Sequence, residues 1–341
     1  MSDVSAADER VIGVAVIGLG FMGRVHLAEY ARAPRVAVRA AFDPANPTAS
    51  SGNLITTSDD TERLLAATPR ESSLTALLAR SDVELVSICT PTDTHIDLAR
   101  AAISAGKHVL LEKPVSLDAQ AIDALEAHAR AAGVLVMPAH CMRFWPAWSW
   151  MADAVREKKF GAVRRASFRR LGAAPNWSQN FYLDDTRSGG AMVDLHIHDA
   201  DFVRFVWGEP RRVSAQGSRR HVHTTYEFAD GLSVHAEGGW MNDANFAFTM
   251  VASIECENGI IDFRLGREVE LMVLEVDGAQ RGVARAIIAG VDYATGTGYE
   301  HEIAAFLAAI RANARCAPVT LADAAATQRL LDREFAAIND V

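Results

Sequence analysis

A glycine-rich turn between two regular stretches constrains this chain more than any other feature. Residues 11–17 are small and β-branched apolar residues, the pattern of a strand buried on both faces. Gly18, Gly20 and Gly23 follow with the spacing G-x-G-x-x-G, and residues 24–32 can continue as a helix. In this context the glycines serve a tight turn, close approach to a pyrophosphate, and close packing of helix on strand. The stretch therefore predicts a dinucleotide-binding site.

An acidic residue stands where a ribose-binding carboxylate belongs. Residues 35–42 are typical of a second strand, and Asp43 ends it, about 20 residues past the glycines. Because such a carboxylate would repel a 2′-phosphate and no Arg or Lys adjoins it, the expected cofactor is NAD, with NADP as the alternative. We expect Phe21 and Met22, within the turn, to contact the cofactor as well. The competing interpretation is a glycine-rich turn that binds nothing.

Composition narrows the class of protein. The chain has 341 residues, half of them hydrophobic, which is enough for two globular domains. A net charge of −9 argues against a nucleic-acid or anionic-membrane surface. The first ten residues are polar and acidic, unlike a secretion signal, and no apolar run approaches a membrane span. The four cysteines are far apart without a C-x-x-C pair, so we expect reduced thiols in a cytoplasmic protein.

The rhythm of predicted elements changes along the chain. Strands alternate with helices as far as residue 138, which predicts a parallel, doubly wound Rossmann sheet. Hairpin dipeptides then punctuate apolar runs, which predicts a large, mostly antiparallel open sheet with helices (151–159, 194–207) on one face. The dipeptides are Asp230-Gly231, Asn258-Gly259 and Asp277-Gly278. The sheet's other face is expected to form a homodimer or homotetramer.

These patterns divide the α/β chain into three parts. We predict a flexible tail over residues 1–10, a dinucleotide-binding Rossmann domain over 11–138, and a substrate-binding and oligomerisation domain over 139–341. The last helices are candidates for packing back on the first domain.

Glu112-Lys113-Pro114 follows a predicted strand, residues 108–111. It therefore stands at the carboxyl edge of an open α/β sheet, where ligands bind. A lysine there can hydrogen-bond a substrate hydroxyl and stabilise the alkoxide that forms as hydride leaves. Because the motif is only three residues long, a plain surface lysine is the alternative.

Residues 189–201 concentrate two histidines and three acids after a Gly-Gly pair. On one continuous helix Asp194 and His198 share a face, which would place a carboxylate beside a base. A helix start enriched in acids is the structural alternative. A metal site is another alternative, but no distant ligand is fixed by a motif, so no metal is predicted. The histidines that could add ligands to such a site are His221, His223, His235 and His301.

Together these segments resemble the Gfo/Idh/MocA oxidoreductase family, named for glucose–fructose oxidoreductase and inositol 2-dehydrogenase. The resemblance rests on Gly18-x-Gly20-x-x-Gly23, on Thr90-Pro91 with His95, on Glu112-Lys113-Pro114, and on Gly189-Gly190-x-x-x-Asp194-x-x-x-His198. It implies an N-terminal Rossmann domain, a C-terminal α/β domain used for dimer or tetramer assembly, and a bound nicotinamide dinucleotide.

The resemblance also implies roles for single residues. Lys113 corresponds to a lysine that contacts cofactor and substrate, His198 to the proton-transferring histidine, and Asp194 to the acid beside it. The further residues expected along the cofactor are Thr90, Pro91, His95 and Glu112.

Three residues are candidates for substrate binding, namely Arg143, Asn176 and Trp177. Arg143 either touches the substrate or braces the site. One departure from the family pattern is His196, where relatives often have glycine. That imidazole either reshapes the substrate pocket, points into the core, or marks a subgroup with an unusual substrate.

The expected function is hydride transfer between a nicotinamide and a sugar, polyol or inositol-like alcohol or ketone. One alternative is a non-catalytic, dinucleotide-dependent sensor of the same fold. Another is an NAD-dependent enzyme that cleaves glycosides by oxidation, elimination and re-reduction, with no net NADH.

Overall fold

The structure is a computed structural model that describes residues 10–44, 59–175, 181–276, 284–288 and 294–339. The chain divides into two units. Unit 1 is Met1–His140 with Tyr299–Ala326, and unit 2 is Cys141–Gly298 with Thr327–Val341. Over the described ranges, no helix combines the length and the apolar character needed to cross a membrane.

Unit 1 is built on a five-stranded parallel sheet in the order β2-β1-β3-β4-β5. Its elements are β1 (Ile12–Ile17), α1 (Phe21–Arg32), β2 (Val36–Phe42), α2 (Asp59–Ala67), α3 (Leu74–Leu78), β3 (Leu85–Ile88), α4 (His95–Ser104), β4 (His108–Leu111), α5 (Ala119–Ala132) and β5 (Val136–Pro138). Every residue of β1 is buried, as the apolar run predicted. The strand order reverses at β1, so β1 and β3 flank the switch point where open α/β sheets bind ligands.

Unit 2 is built on an eight-stranded sheet in the order β13-β12-β11-β10-β6-β9-β8-β7. Its elements are α6 (Pro146–Arg156), β6 (Val163–Ala173), α7 (Asp185–Ser188), α8 (Gly190–Asp194), α9 (Ile197–Trp207), β7 (Arg212–Ser218), β8 (His221–Glu227), β9 (Ser233–Met241), β10 (Thr249–Cys256), β11 (Gly259–Arg264), β12 (Leu271–Val276) and β13 (Ala284–Ile288). All pairings are antiparallel except β6 with β9. Both predicted sheets, and the α/β class, are confirmed.

Two helices close the chain. They are α10 (Gly298–Arg311) and α11 (Leu321–Asn339). From Tyr299 onward α10 belongs to unit 1, and α11 belongs to unit 2 from Thr327.

The inner face of the large sheet carries an aromatic core. Trp148 of α6 is fully buried and lies edge-on to Phe202 of α9, with ring centroids 4.7 Å apart. Phe168 of β6 and Phe263 of β11 pack on the same indole. This core fixes α6 and α9 on the sheet, which positions the residues on either side of α9's start.

Two hairpin predictions are confirmed, since Asp230-Gly231 lies between β8 and β9 and Asn258-Gly259 between β10 and β11. The third, Asp277-Gly278, lies outside the described residues, as does most of the predicted tail.

The predicted continuous helix over residues 194–207 is wrong. α8 ends at Asp194 and α9 begins at Ile197. The amides of Leu195 and His196 both donate to the carbonyl of Ala191, at 2.8 and 2.9 Å, so the helical ladder does not run through this point. Asp194 and His198 therefore flank a break instead of sharing one face of a helix.

Candidate active site

The glycine turn after β1 is required in part by the protein's own packing. Gly18 has a φ of +85°, and a Cβ there would lie 2.5 Å from the carbonyl oxygen of Cys89. A Cβ on Gly23 would lie 1.9 Å from the carbonyl oxygen of Gly18. Neither position admits a side chain without movement of the backbone, so these two glycines hold α1 against β1 and β3.

Gly20 differs from its two neighbours. Among the described residues other than Gly20 and its two chain neighbours, no atom lies within 4 Å of where its Cβ would be, and its φ of −65° suits any residue. Gly20 is the N-cap of α1, and no side chain caps that end. Since the first amides of a helix lack intrahelical partners and carry the positive end of its dipole, this turn fits an external anion such as a pyrophosphate.

Asp43 and Arg24 hold the turn from two sides. An Oδ2 of Asp43 accepts a hydrogen bond from the Leu19 amide at 2.6 Å, and Arg24 Nε donates to the Leu19 carbonyl at 3.0 Å. Arg24 is buried and also pairs with Glu62. Sequence reasoning missed Arg24. The available signal was a cation in the first turns of a helix, where the dipole disfavours it.

Thr90, Pro91 and His95 follow β3, the neighbour of β1. The two ring nitrogens of His95 each lie 2.8 Å from a carbonyl oxygen, those of Thr90 and Pro114. Burial lowers the pKa of His95. The ring thus connects the loop after β3 to the loop after β4. A direct contact between His95 and the cofactor stays a prediction.

Glu112 is buried beneath the turn that carries Lys113. Its Oε2 accepts the Lys113 amide at 3.0 Å, and its Oε1 lies 3.2 Å from His26 Nε2. The Nδ1 of His26 lies 2.7 Å from Ser87 Oγ. Lys113 itself is half-buried. The structure therefore assigns Glu112 to support of the Lys113 backbone, and cofactor contact by Glu112 remains a prediction.

Glu112 and His26 each shift the pKa of the other toward its charged form. Burial raises the pKa of Glu112, but His26 and Lys113 outweigh it and hold the pKa below its usual value. Burial likewise lowers the pKa of His26, and Cys89 and Glu112 outweigh it, so that pKa lies well above its usual value. Both shifts favour an imidazolium beside a carboxylate in the core of unit 1.

A third ionisable group, Glu302 of α10, lies in the same core. It is fully buried, and neither carboxyl oxygen has a hydrogen-bond partner among the described residues. Burial and the Glu112 carboxylate raise the pKa of Glu302 well above the usual value, which favours its protonated form. Sequence reasoning missed His26 and Glu302. Each occupies a core position on a helix, which was the signal.

In unit 2, a Gly-Gly turn leads into the segment with Asp194 and His198. Gly189 and Gly190 have φ values of +75° and +72°, and a Cβ on Gly190 would lie 2.7 Å from the carbonyl oxygen of Arg219. Asp194 is the last residue of α8, and His198 lies in the first turn of α9. Both are half-buried, so a substrate can reach them.

The other two acids of the segment have structural roles. Asp201 forms a bidentate ion pair with Arg143, at 2.7 and 2.8 Å, and Asp199 forms one with Arg170, at 2.8 and 3.1 Å. All four side chains are buried. Of the two roles that the sequence left open for Arg143, the structure supports bracing, and substrate contact stays a prediction. Asn176 and Trp177 lie outside the described residues.

His196 points into the core of unit 2. It is fully buried, with Nε2 at 2.9 Å from Glu334 and 3.2 Å from the Tyr226 hydroxyl. Burial lowers its pKa, but the Glu334 carboxylate outweighs this and the pKa is raised. A Cβ on Gly238 would lie 2.5 Å from His196 Cβ, so this glycine makes room for the residue. Of the three interpretations of His196, the structure supports the core role.

The structure thus groups the predicted residues into two sets. Unit 1 presents an uncapped glycine turn, the Thr90 loop and Lys113 at the carboxyl edge of one parallel sheet. Unit 2 presents a half-buried carboxylate and imidazole around a helix break. The first set can bind a dinucleotide and stabilise negative charge, and the second can exchange a proton.

Comparison with known proteins agrees with these observations. Residues 12–140 match the Gfo/Idh/MocA model of an oxidoreductase family with an NAD-binding Rossmann fold, and residues 148–262 match the Gfo/Idh/MocA C-terminal domain. The chain is 28% identical to inositol 2-dehydrogenase of Rhizobium meliloti over 91% of this chain and 94% of that one. It is 35% identical to UDP-N-acetylglucosamine 3-dehydrogenase of Acidithiobacillus ferrooxidans over 59% and 56% of the two chains.

Some relatives match over only part of their length. An uncharacterized oxidoreductase of Synechocystis is 34% identical, but the alignment spans 40% of that protein. The aligned region therefore covers about half or less of some relatives and nearly the whole length of others.

Solved structures share the architecture. Levoglucosan dehydrogenase in complex with NADH and L-sorbose superimposes with a TM-score of 0.80 at 21% identity, covering 97% of both chains. At 21% sequence identity, this structural similarity establishes a shared fold and nothing about the reaction. The two family models match consecutive parts of the sequence that together make up more than half of the chain, and the structure has the same architecture as dehydrogenase structures such as the levoglucosan enzyme. Unit 1 is therefore an NAD-binding Rossmann fold, and the chain belongs to the Gfo/Idh/MocA oxidoreductase family.

Proposed function

We propose that this protein is an NAD-dependent oxidoreductase that acts on the CH–OH group of a sugar, polyol or inositol-like alcohol, or on the matching ketone. The observation that carries the proposal is the uncapped turn at Gly20, which the protein's own packing leaves clear, at the same sheet edge as Lys113. Several relatives are named as dehydrogenases of inositol, levoglucosan or a nucleotide sugar, which supports this substrate class.

The cofactor would bind along the edge of unit 1. Gly20 and the first amides of α1 would hold the pyrophosphate, and Asp43 a ribose. Further contacts are proposed for Phe21, Met22, Thr90 and Pro91. When bound, the nicotinamide accepts or supplies the hydride.

Three side chains would act on the substrate. His198 takes the proton of the reacting hydroxyl, and Asp194 orients and stabilises the resulting imidazolium. The Lys113 ammonium stabilises the negative charge that develops on the substrate oxygen. Reduction of a ketone uses the same groups in reverse. Arg143, Asn176 and Trp177 are proposed as further contributors to the substrate site.

NAD is proposed as the preferred cofactor because the Asp43 carboxylate would repel a 2′-phosphate. We also propose that the enzyme works in the cytoplasm, since all four cysteines are free thiols.

We further propose a homodimer or homotetramer formed through the outer face of the large sheet. Val251, Ile260, Met272 and Leu274 project partly exposed apolar side chains from that face. Covering them with a second copy would remove this apolar surface from water.

The test is a substrate panel in which inositols and aldoses are incubated with NAD⁺ and then NADP⁺, and sugar lactones with NADH and then NADPH, monitored at the NADH absorbance band. The proposal predicts reduced cofactor with at least one of these alcohols. Tight NADH binding without turnover on any of them would instead indicate a sensor. Glycoside cleavage without net NADH would indicate transient oxidation and re-reduction.

A further inference from the structure

The outer face of the large sheet carries a second cluster of titratable side chains, on strands β8 and β9. His221 and His223 are two residues apart on β8, so both imidazoles project from one face. Glu237 of β9 is the direct cross-strand partner of His223, and Gly239 is the partner of His221. The register thus places two imidazoles and one carboxylate together, apart from the residues proposed for hydride transfer.

The distances within this cluster suit a shared cation. The Oε1 of Glu237 lies 2.9 Å from His221 Nε2 and 3.9 Å from His223 Nε2. One ligand atom from each of the three residues lies within 4.8 Å of the others. Tetrahedral zinc with ligand bonds of about 2.0–2.2 Å separates its ligand atoms by about 3.3 Å, so small ring rotations would complete the geometry.

Gly239 and Arg169 orient the side chains of this cluster. A Cβ at Gly239 would lie 2.8 Å from His221 Cδ2, so only glycine lets that ring lean across the strand toward Glu237. Arg169 Nε donates to Glu237 Oε2 at 2.6 Å, which fixes the carboxylate and leaves its Oε1 directed at the imidazoles.

In the single chain, solvent can reach the cluster, which lies on β8 and β9, whereas the apolar side chains proposed for the interface lie on β10, β11 and β12. The His223 side chain is 60% exposed, and a cavity of about 670 Å³ on this face is lined in part by Arg169, His223 and Glu237. A bound ion would therefore keep a fourth position open to water or an external ligand.

We propose that His221, His223 and Glu237 form a binding site for a zinc-type divalent cation. Two imidazole nitrogens favour Zn²⁺, Ni²⁺ or Cu²⁺ over the oxygen-seeking Mg²⁺ and Ca²⁺. The positive charge of Arg169 opposes a cation and sets a limit on affinity. The competing interpretation is an ordinary cross-strand pair between His221 and Glu237.

Calorimetric titration with ZnCl₂ tests the proposal, using the tag-free full chain with Cys316→Ser, because Cys316 is exposed and thiols are zinc ligands. We expect one ion per chain. His221→Ala and His223→Ala should each weaken binding by more than about 100-fold, since loss of an outer-shell partner alone costs about 10–100-fold. The matched control is His235→Ala, which removes an imidazole from the same face of β9 and should leave the titration unchanged.

The proposal is overturned if the Cys316→Ser chain binds no zinc, or if the His221→Ala/His223→Ala double variant binds it equally well. Co²⁺ provides a second measurement on the chain without histidine substitutions. A tetrahedral site gives intense visible absorption that Zn²⁺ abolishes, and absence of that absorption would contradict the site even if a histidine variant failed to fold.

Discussion

Single residues show how unit 1 keeps charge in its core beneath the proposed catalytic lysine. The His26–Glu112 pair satisfies its own charges, and Glu112 in turn holds the backbone amide of Lys113. Glu302 adds a buried carboxyl group without a hydrogen-bond partner in the described ranges, and its pKa is raised. The two glutamates therefore make opposite contributions to stability, although they share one core.

These opposite contributions predict that the thermal stability of Glu302→Gln and of Glu112→Gln depends on pH in different ways. The pKa of Glu302 in the folded state is raised above the ordinary glutamate value of 4.5, so its contribution to stability falls as pH rises above that value. Glu302→Gln removes this loss of stability at higher pH, because a glutamine does not ionise. We therefore expect its gain in melting temperature over the parent protein to grow between about pH 5 and pH 8.

Glu112→Gln should behave in the opposite way. The folded pKa of Glu112 is lowered, so its stabilisation is present above the unfolded value and disappears as pH falls through the folded value. Breaking a buried pair costs about 3–5 kcal/mol, so the variant should be strongly destabilised near neutral pH and less so in acid. Thermal unfolding across pH measures both variants. Parallel profiles for Glu302→Gln and the parent would contradict the assigned charge of Glu302.

Asp43 allows charge and hydrogen bonding to be separated. Asp43→Asn keeps an oxygen that can accept the Leu19 amide but removes the negative charge. We expect the ratio of NADP to NAD affinity to rise at least about tenfold, because removing a like charge relieves a repulsion of more than 1 kcal/mol. Asp43→Ala, which loses both features, should weaken both cofactors. An unchanged ratio in the asparagine variant, measured by equilibrium titration, would show that Asp43 does not face the 2′ position.

At the scale of elements, two glycines of the β1–α1 turn have different roles: we expect Gly23 to be required for stability and Gly20 for cofactor binding. Gly23→Ala places a Cβ on the Gly18 carbonyl and should destabilise the protein by several kcal/mol, while Gly20→Ala meets nothing nearby and should change stability by less than about 0.5 kcal/mol. Gly20→Ala should nevertheless weaken NADH binding at least about tenfold, since its methyl group occupies the space proposed for the pyrophosphate. Urea unfolding and NADH fluorescence distinguish the two. Full NADH affinity in Gly20→Ala would count against this binding mode.

Elements also show what the sequence could and could not predict. The strand β1, the glycine turn and the strand β2 that precedes Asp43 follow from local periodicity and spacing, and the structure contains them. The break between α8 and α9 does not, because the His196 side chain beside it is bound in the core by Glu334, 138 residues later in the chain. Likewise, the sequence leaves two roles open for Arg143, and the bracing role follows only from its ion pair with Asp201, 58 residues away. Long-range polar pairs of this kind leave no periodic pattern.

At the scale of the whole molecule, the proposed assembly rests on the outer face of the large sheet. Ile260 and Leu274 are direct cross-strand partners there and are half-buried in the single chain. The double variant Ile260→Glu/Leu274→Glu should reduce the solution mass, measured by light scattering, to that of one chain or one dimer. Burial of charge without partners makes association through this face unfavourable. An unchanged mass would place the interface elsewhere.

We propose that Lys113, Asp194 and His198 serve one hydride transfer with a bound nicotinamide. The most direct measurement is the rate of NAD⁺ reduction by the best alcohol of the panel, with NADH affinity determined on the same samples, for the parent protein and for Lys113→Met. The account predicts that kcat falls by about 10²–10³ in the variant while NADH affinity is retained. Turnover by Lys113→Met at the parent rate would contradict it.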